Sequence, residues 1–241
     1  MSDLRTALAF LTRLPVGVPA EPSLARAAAW FPVVGLLVGG AAAGTRAAAD
    51  LALPPAAATL LAVLVAVLLT GALHEDGLAD VADALGAHVD RARRLEILRD
   101  PRVGAFGALA LVLAAGLVVA TVAPLDTADA ARTLIVAHVL ARWAILPVSR
   151  ALPPARPDGA GTLLRVGTPA LLVASALASA AALAVAGPHA GAATLGAATL
   201  AALAVGAALM RGLGGVTGDG YGATAKVAEL AVCVTLAAAW S

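Results

Sequence analysis

LPPAAATLLAVLVAVLLTGALHEDGLADVADALGAHVD, residues 53–90, joins two unlike kinds of chain without a spacer. Residues 55–73 carry no charge and have about the length, near 20 apolar residues, of a helix that crosses a bilayer. The next ten residues, 74–83, present His74, Glu75, Asp76, Asp80 and Asp83. Acids so dense at the end of an apolar span point to a site at the membrane surface.

The rest of the chain agrees with a membrane setting. Of its 241 residues 61% are hydrophobic and 13% charged, with a mean hydropathy of +0.94. A soluble domain has about a quarter charged residues, so a polytopic membrane protein is expected instead. Ala, Leu and Val supply most of the apolar bulk, which favours helices able to pack closely, and no alternating pattern suggests a barrel. The single cysteine, Cys233, sits in an apolar run and cannot form an internal disulfide. Residues 1–29 lack the continuous apolar core of a cleavable signal.

Seven segments are long and apolar enough to span: 30–51, 55–73, 103–123, 128–148, 169–186, 190–210 and 223–240. The expected fold is therefore all-α, one domain over residues 1–241, a bundle of about seven transmembrane helices. Arg46, Asp50, Arg132 and Arg142 fall in or near spans, which requires that they snorkel or face a polar interior. Basic residues alternate between loops. Arg5, Arg13 and Arg26 precede the first span, and Arg91, Arg93, Arg94, Arg99 and Arg102 follow the second. Arg150, Arg156 and Arg165 follow the fourth, and Arg211 and Lys226 the sixth, whereas LALPP, PLDTAD and GPHAG have none. By the positive-inside rule the basic loops are cytoplasmic. The motif-bearing loops share that side, as expected of an enzyme working at one interface; a transporter would place polar groups near the midplane.

Three constellations carry chemistry. Asp76, Asp80 and Asp83 are spaced i, i+4, i+7 and so share one helix face, an arrangement that repels itself without a cation. Hard oxygen ligands of this kind suit Mg²⁺ or Mn²⁺, with waters and a substrate phosphate completing the shell. His74 is a candidate general base, while Glu75 falls off the aspartate face and is expected to meet solvent or an arginine. His88, His138 and His189 show no partner pattern. In RRLEILRDPRVGAFG, residues 93–107, Arg99 and Arg102 bracket Asp100 and Pro101; the arginines could fork a phosphate and Asp100 could be a further ligand. Arg91, Arg93 and Arg94 read as an ordinary basic flank. In RGLGGVTGDGYGATAKVAEL, residues 211–230, five glycines with Gly215, Thr217, Gly218 and Asp219 suggest a loop whose N–H groups cradle phosphate and whose acid holds metal. LPPARPDGAGTL, residues 152–163, with Asp158, reads as a plain turn-rich loop.

These stretches together resemble the adenosylcobinamide-GDP ribazoletransferase (cobalamin synthase) family. FLTRLPVG, FPVVGLLVGG, TGALHEDGLADVADAL, RRLEILRDPRVGAFGALAL and GGVTGDGYGA occur in the family's order from about Phe10 to Leu230. The resemblance implies a multi-pass enzyme of the bacterial inner membrane that needs Mg²⁺. Such an enzyme joins adenosylcobinamide-GDP to α-ribazole or its 5′-phosphate and releases GMP. It implies His74, Asp80, Arg99 and Arg102 as catalytic residues and Asp76, Asp80, Asp83, Asp100 and Asp219 as metal ligands. Gly215, Thr217, Gly218 and Arg142 would bind the nucleotide. Lys226 stands where the family often has an acid. The bilayer is an expected partner, a homo-oligomer is compatible, and no nucleic acid is expected. Two other readings are a CDP-alcohol phosphotransferase, whose full D-G-x-x-A-R spacing is absent, and a divalent-cation transporter.

Overall fold

The computed structural model describes residues 2–157, 159–162 and 164–240; Asp158 lies outside them. It is a bundle of helices: α1 (Ser2–Leu11), α2 (Leu24–Ala27), α3 (Phe31–Ala49), α4 (Pro55–Thr70), α5 (Leu73–Gly86) and α6 (Arg91–Ile97). Then follow α7 (Ala105–Val122), α8 (Thr127–Ala151), α9 (Thr168–Ala186), α10 (Pro188–Leu213) and α11 (Gly218–Trp240). Among the described residues six segments could cross a membrane: α2 running into α3, then α7, α8, α9, α10 and α11. The seventh expected span is broken, because α4 and α5 meet at 92°.

Local chemistry sets these limits. Prolines stand in the first turn of α3, α4, α9 and α10, where a missing N–H costs nothing. Asp126 caps α8 by accepting from the Asp129 amide at 2.8 Å. The end of α4 is made by two successive left-handed residues, Gly71 (φ 65°) and Ala72 (φ 59°). Glycine adopts that conformation freely, and alanine only under constraint from its surroundings. The pair swings α5 off the axis of α4, so α5 leaves the spanning direction.

The hub is α8. Its most apolar stretch is 72% buried, against 17% for α9 and 22% for α7, so those two form the lipid-facing rim. α3 crosses α8 with almost no side chain between them. A Cβ on Gly39 would sit 2.8 Å from the Ile135 Cα, and one on Gly35 would run into the His138 carbonyl. Small residues let backbones approach in this way where lipid supplies no hydrophobic drive. Arg46 is buried, ion-paired with Asp50 and bonded to Thr59 Oγ1 at 2.9 Å, so the charge in this span is neutralised.

The basic loops gather at one end of the bundle and hold one another. Residues 153–155 pair with Val216 through Ala155 N to Val216 O and Val216 N to Pro153 O, both 2.9 Å. Arg91 donates to the Leu213 carbonyl at 2.6 Å and the Ala155 carbonyl at 3.0 Å, and Arg156 reaches the Leu95 carbonyl at 3.4 Å. Arg91 is thus no ordinary flank: it caps the end of α10 and ties three loops together. LPPARPDGAGTL is likewise no plain loop.

The glycine contacts give a direct test. Gly35→Leu should lower stability by about 1–3 kcal/mol, the usual cost of overpacking. Gly40→Leu, where an added Cβ meets nothing within 4 Å, should leave it unchanged. Thermal unfolding in detergent micelles reads both.

Candidate active site

The site is built where α5 crosses the start of α11. A Cβ on Gly77 would lie 2.6 Å from the Asp219 carbonyl and 3.0 Å from the Gly222 Cα, so both positions must be bare. The contact brings Asp76 and Asp80 of α5 up to Asp219 in the first turn of α11. Thr217 sets that turn, its Oγ1 accepting from the Gly220 amide at 3.0 Å.

Asp219 borders two cavities. One, of about 210 Å³, is lined by His74, Asp76, Gly218, Tyr221 and the apolar Leu11 and Ile145. The other, of about 270 Å³, is lined by Arg99, Arg156, Thr217 and Gly218. An acid thus stands between a basic pocket and a pocket holding a histidine. His74 is buried and its Nε2 has no hydrogen-bond partner among the described residues. A buried polar atom without a partner is costly, so a ligand group there would satisfy it.

The charge at the crossing is unbalanced. Burial, and then the carboxylates of Asp76, Asp219 and Asp83, push the Asp80 carboxyl up to about 6. A divalent cation held by these oxygens would remove that repulsion. The donor set of Asp76, Asp80 and Asp219, all carboxylate, fits Mg²⁺ in chemistry. Among the described residues no three His, Cys, Asp or Glu side chains are already gathered as a metal site, so side-chain rotation would have to close the set.

Several residues expected at the site have other partners. Asp83 accepts from the Gly104 and Gly107 amides at 2.7 and 2.9 Å and so caps α7. Its side chain points to α7 because i+7 lies two turns from the crossing with α11. Asp100 is held by Arg102 through two bonds of 2.8 and 2.6 Å, which keep its carboxyl down at about 2. That pair lines a cavity of about 440 Å³ with Asp83, Gly104 and Phe106. In the structure Asp83 and Asp100 thus engage α7 and Arg102, not Asp76, Asp80 and Asp219. The glycine-rich segment is shorter as a loop than its sequence suggests: Gly212 lies in the last turn of α10, and Gly218 and Gly220 open α11. Gly215 (φ 157°) is bare because the 153–155 backbone passes over it.

Arg142 belongs to a buried network instead. Its Nη1 donates to His138 Nδ1 at 2.7 Å, and His138 lies 3.6 Å from Glu229. Lys226 Nζ is 2.8 Å from both Glu75 and Glu229. Glu75 thus pairs with a buried lysine, with Arg142 in the same network and part of its side chain still exposed, and His138 has partners after all. The network holds two cations and two carboxylates, and it clamps α5 and α8 to α11. Sequence reading missed this clamp and Arg156. The available signal was Lys226 and Glu229 at i, i+3, opposite charges one turn apart inside an apolar segment.

Comparison with known proteins adds identity. The family described as cobalamin-5-phosphate synthase matches residues 3–237. An adenosylcobinamide-GDP ribazoletransferase of Bradyrhizobium diazoefficiens is 39% identical, with 99% of this chain and 94% of that protein covered. One from Azorhizobium caulinodans is 40% identical over 96% of this chain and 93% of its own length. One from Roseiflexus is 36% identical over 95% and 87%. No solved structure matches.

The clamp predicts a stability pattern. Lys226→Met strands two buried carboxylates and should cost roughly 3–5 kcal/mol. Adding Glu75→Gln and Glu229→Gln to Lys226→Met should recover much of the loss, as thermal unfolding of the detergent-solubilised protein would read.

Proposed function

Since the chain belongs to the cobalamin-5-phosphate synthase family, we propose that it transfers a phosphoryl-linked group from adenosylcobinamide-GDP to α-ribazole or its 5′-phosphate. A ribose hydroxyl oxygen of the ribazole, one that a 5′-phosphate leaves free, forms a bond to the phosphorus that carries cobinamide and gives up its proton. The bond from that phosphorus to GMP breaks, and GMP leaves with its electron pair. Catalysis of this kind rests on positioning and charge stabilisation.

One observation carries the assignment of roles: Asp219 stands against Asp76 and between the two cavities. Arg99 and Arg156 in the basic cavity would hold the phosphates of the nucleotide, with α11 presenting its N-terminal amides at Gly218. His74, its Nε2 free, would accept the hydroxyl proton in the other cavity. Tyr221 and Leu11 would face the acceptor there. Bound Mg²⁺, held by Asp76, Asp80 and Asp219, would neutralise pyrophosphate charge. The positive-inside rule supports a cytoplasmic site in the bacterial inner membrane, because the basic loops surround these cavities. Acids gathered at one end of the bundle favour this reading over a cation transporter.

Purified protein given Mg²⁺, adenosylcobinamide-GDP and α-ribazole should release GMP; folded protein that releases none would overturn the assignment. Asp80→Asn should lower turnover by about 10²-fold or more while membrane insertion is unchanged. The raised Asp80 pKa also sets a pH dependence. Below about 6 the carboxyl is protonated and a proton competes with the cation. The Mg²⁺ concentration for half-maximal rate should therefore rise as pH falls through about 6, and Mg²⁺ titrations at several pH values would check it.

A further inference from the structure

Away from the crossing, on the far side of α8, two cavities share a wall. The first, of about 570 Å³, lies between the end of α8 and the start of α9 and is lined by Ser149, Arg150, Arg165, Gly167 and Thr168. The second, of about 590 Å³, is an apolar groove between α8 and α10 lined by Trp143, Pro147, Leu203, Gly206 and Met210. Ala151 and Leu152 line both, so the polar hollow and the groove lie side by side. From Trp143 to Ala151 the groove follows about 12 Å of helix axis. Its rim faces outward: Leu203 is 64% and Met210 45% exposed.

Arg91 and Arg156 donate to carbonyls and Arg102 to Asp100, whereas Arg150 and Arg165, like Arg13 and Arg211, have no side-chain hydrogen bond or ion pair among the described residues; of these four, only Arg150 and Arg165 line this hollow. The two guanidiniums line a polar hollow beside an apolar groove that runs into the spanning region. A soluble phosphate would use the arginines and leave the groove unfilled. A zwitterionic lipid carries its own cation and gains little from a second and third. Both features are met by a lipid with an anionic headgroup, and such lipids collect in the leaflet that basic loops face.

We propose that Arg150 and Arg165 bind the phosphate of an anionic phospholipid whose acyl chain lies in the groove between α8 and α10. The site neighbours the catalytic region through one wall. Ser149 donates to the Leu164 carbonyl, and Tyr221 donates to the Gly161 carbonyl at 3.1 Å from the His74 cavity. The bound headgroup would brace the 164–167 segment on which Tyr221 rests.

Native mass spectrometry of the full chain, extracted in detergent and offered equal phosphatidylglycerol and phosphatidylcholine, tests this without reference to turnover. Phosphatidylglycerol should be retained preferentially. Replacing one arginine should weaken retention about 5-fold, and R150Q/R165Q together roughly 30-fold. Gly206→Leu should also release the lipid, because its Cβ has only ordinary contacts, at 3.7 Å to Leu152 and 3.8 Å to Val148, and the longer side chain fills the groove. Arg93→Gln, on α6 and paired with Glu96, should change nothing. Circular dichroism confirms that each variant is folded. Equal retention of the two lipids, or retention unchanged in R150Q/R165Q, would overturn the proposal. So would displacement of the lipid by inorganic phosphate with Gly206→Leu neutral, since the arginines would then hold free phosphate.

Discussion

Two backbones touch where Gly77 of α5 meets Gly222 of α11, and the chemistry of the protein hangs on that contact. Packed helices ordinarily keep their axes 8–10 Å apart because side chains intervene. Here a Cβ on Gly222 would come within 3.1 Å of both the Gly77 Cα and the Leu73 carbonyl. Any side chain at either position would move α11 outward and take Asp219 away from Asp76 and Asp80. Lys226 lies one turn beyond Gly222, and Glu75 lies just before Gly77, so the buried clamp closes over the same crossing. The clustered acids and the structural ion pairs are thus placed by one constraint.

The bundle also shows how charge is divided in a membrane. Inside the spans each cation has an anion near it: Arg46 with Asp50, Lys226 with Glu75 and Glu229. A lone charge there would be too costly to keep. At the loop end the accounts differ. Among the described residues Asp76, Asp80 and Asp219 have no basic side chain bonded to them, and Arg150 and Arg165 have no acid partner. Groups left unneutralised are the ones poised for something that arrives from outside the chain.

Spans and their order were readable because bilayer thickness imposes one length and one polarity on every crossing segment. The i, i+4, i+7 spacing correctly put Asp76 and Asp80 on one face. It could not say that the face is too long for one partner, so Asp83 reaches the amides of α7 instead. Helical geometry also removed Glu75 from that face correctly. What covers the other face depends on which helix packs there, and Lys226 lies about 150 residues away. Separations of 61 to 122 residues likewise hid Arg91 and Arg156, whose carbonyl partners are set by loop packing. The break at Gly71–Ala72 left a trace only in the glycine, since an alanine seldom adopts a left-handed conformation.

That break has a consequence for the lipid itself. α4 has 16 residues and so covers about 24 Å, where the hydrocarbon layer measures about 30 Å. A segment too short for its solvent is met by thinning of the bilayer beside it. In a bilayer the leaflet next to α4 would be drawn inward at the very end where α5 turns aside. Water and headgroups would then come down towards the acids there, and hydrophobic mismatch, usually counted as a penalty, would lower the shoreline to them.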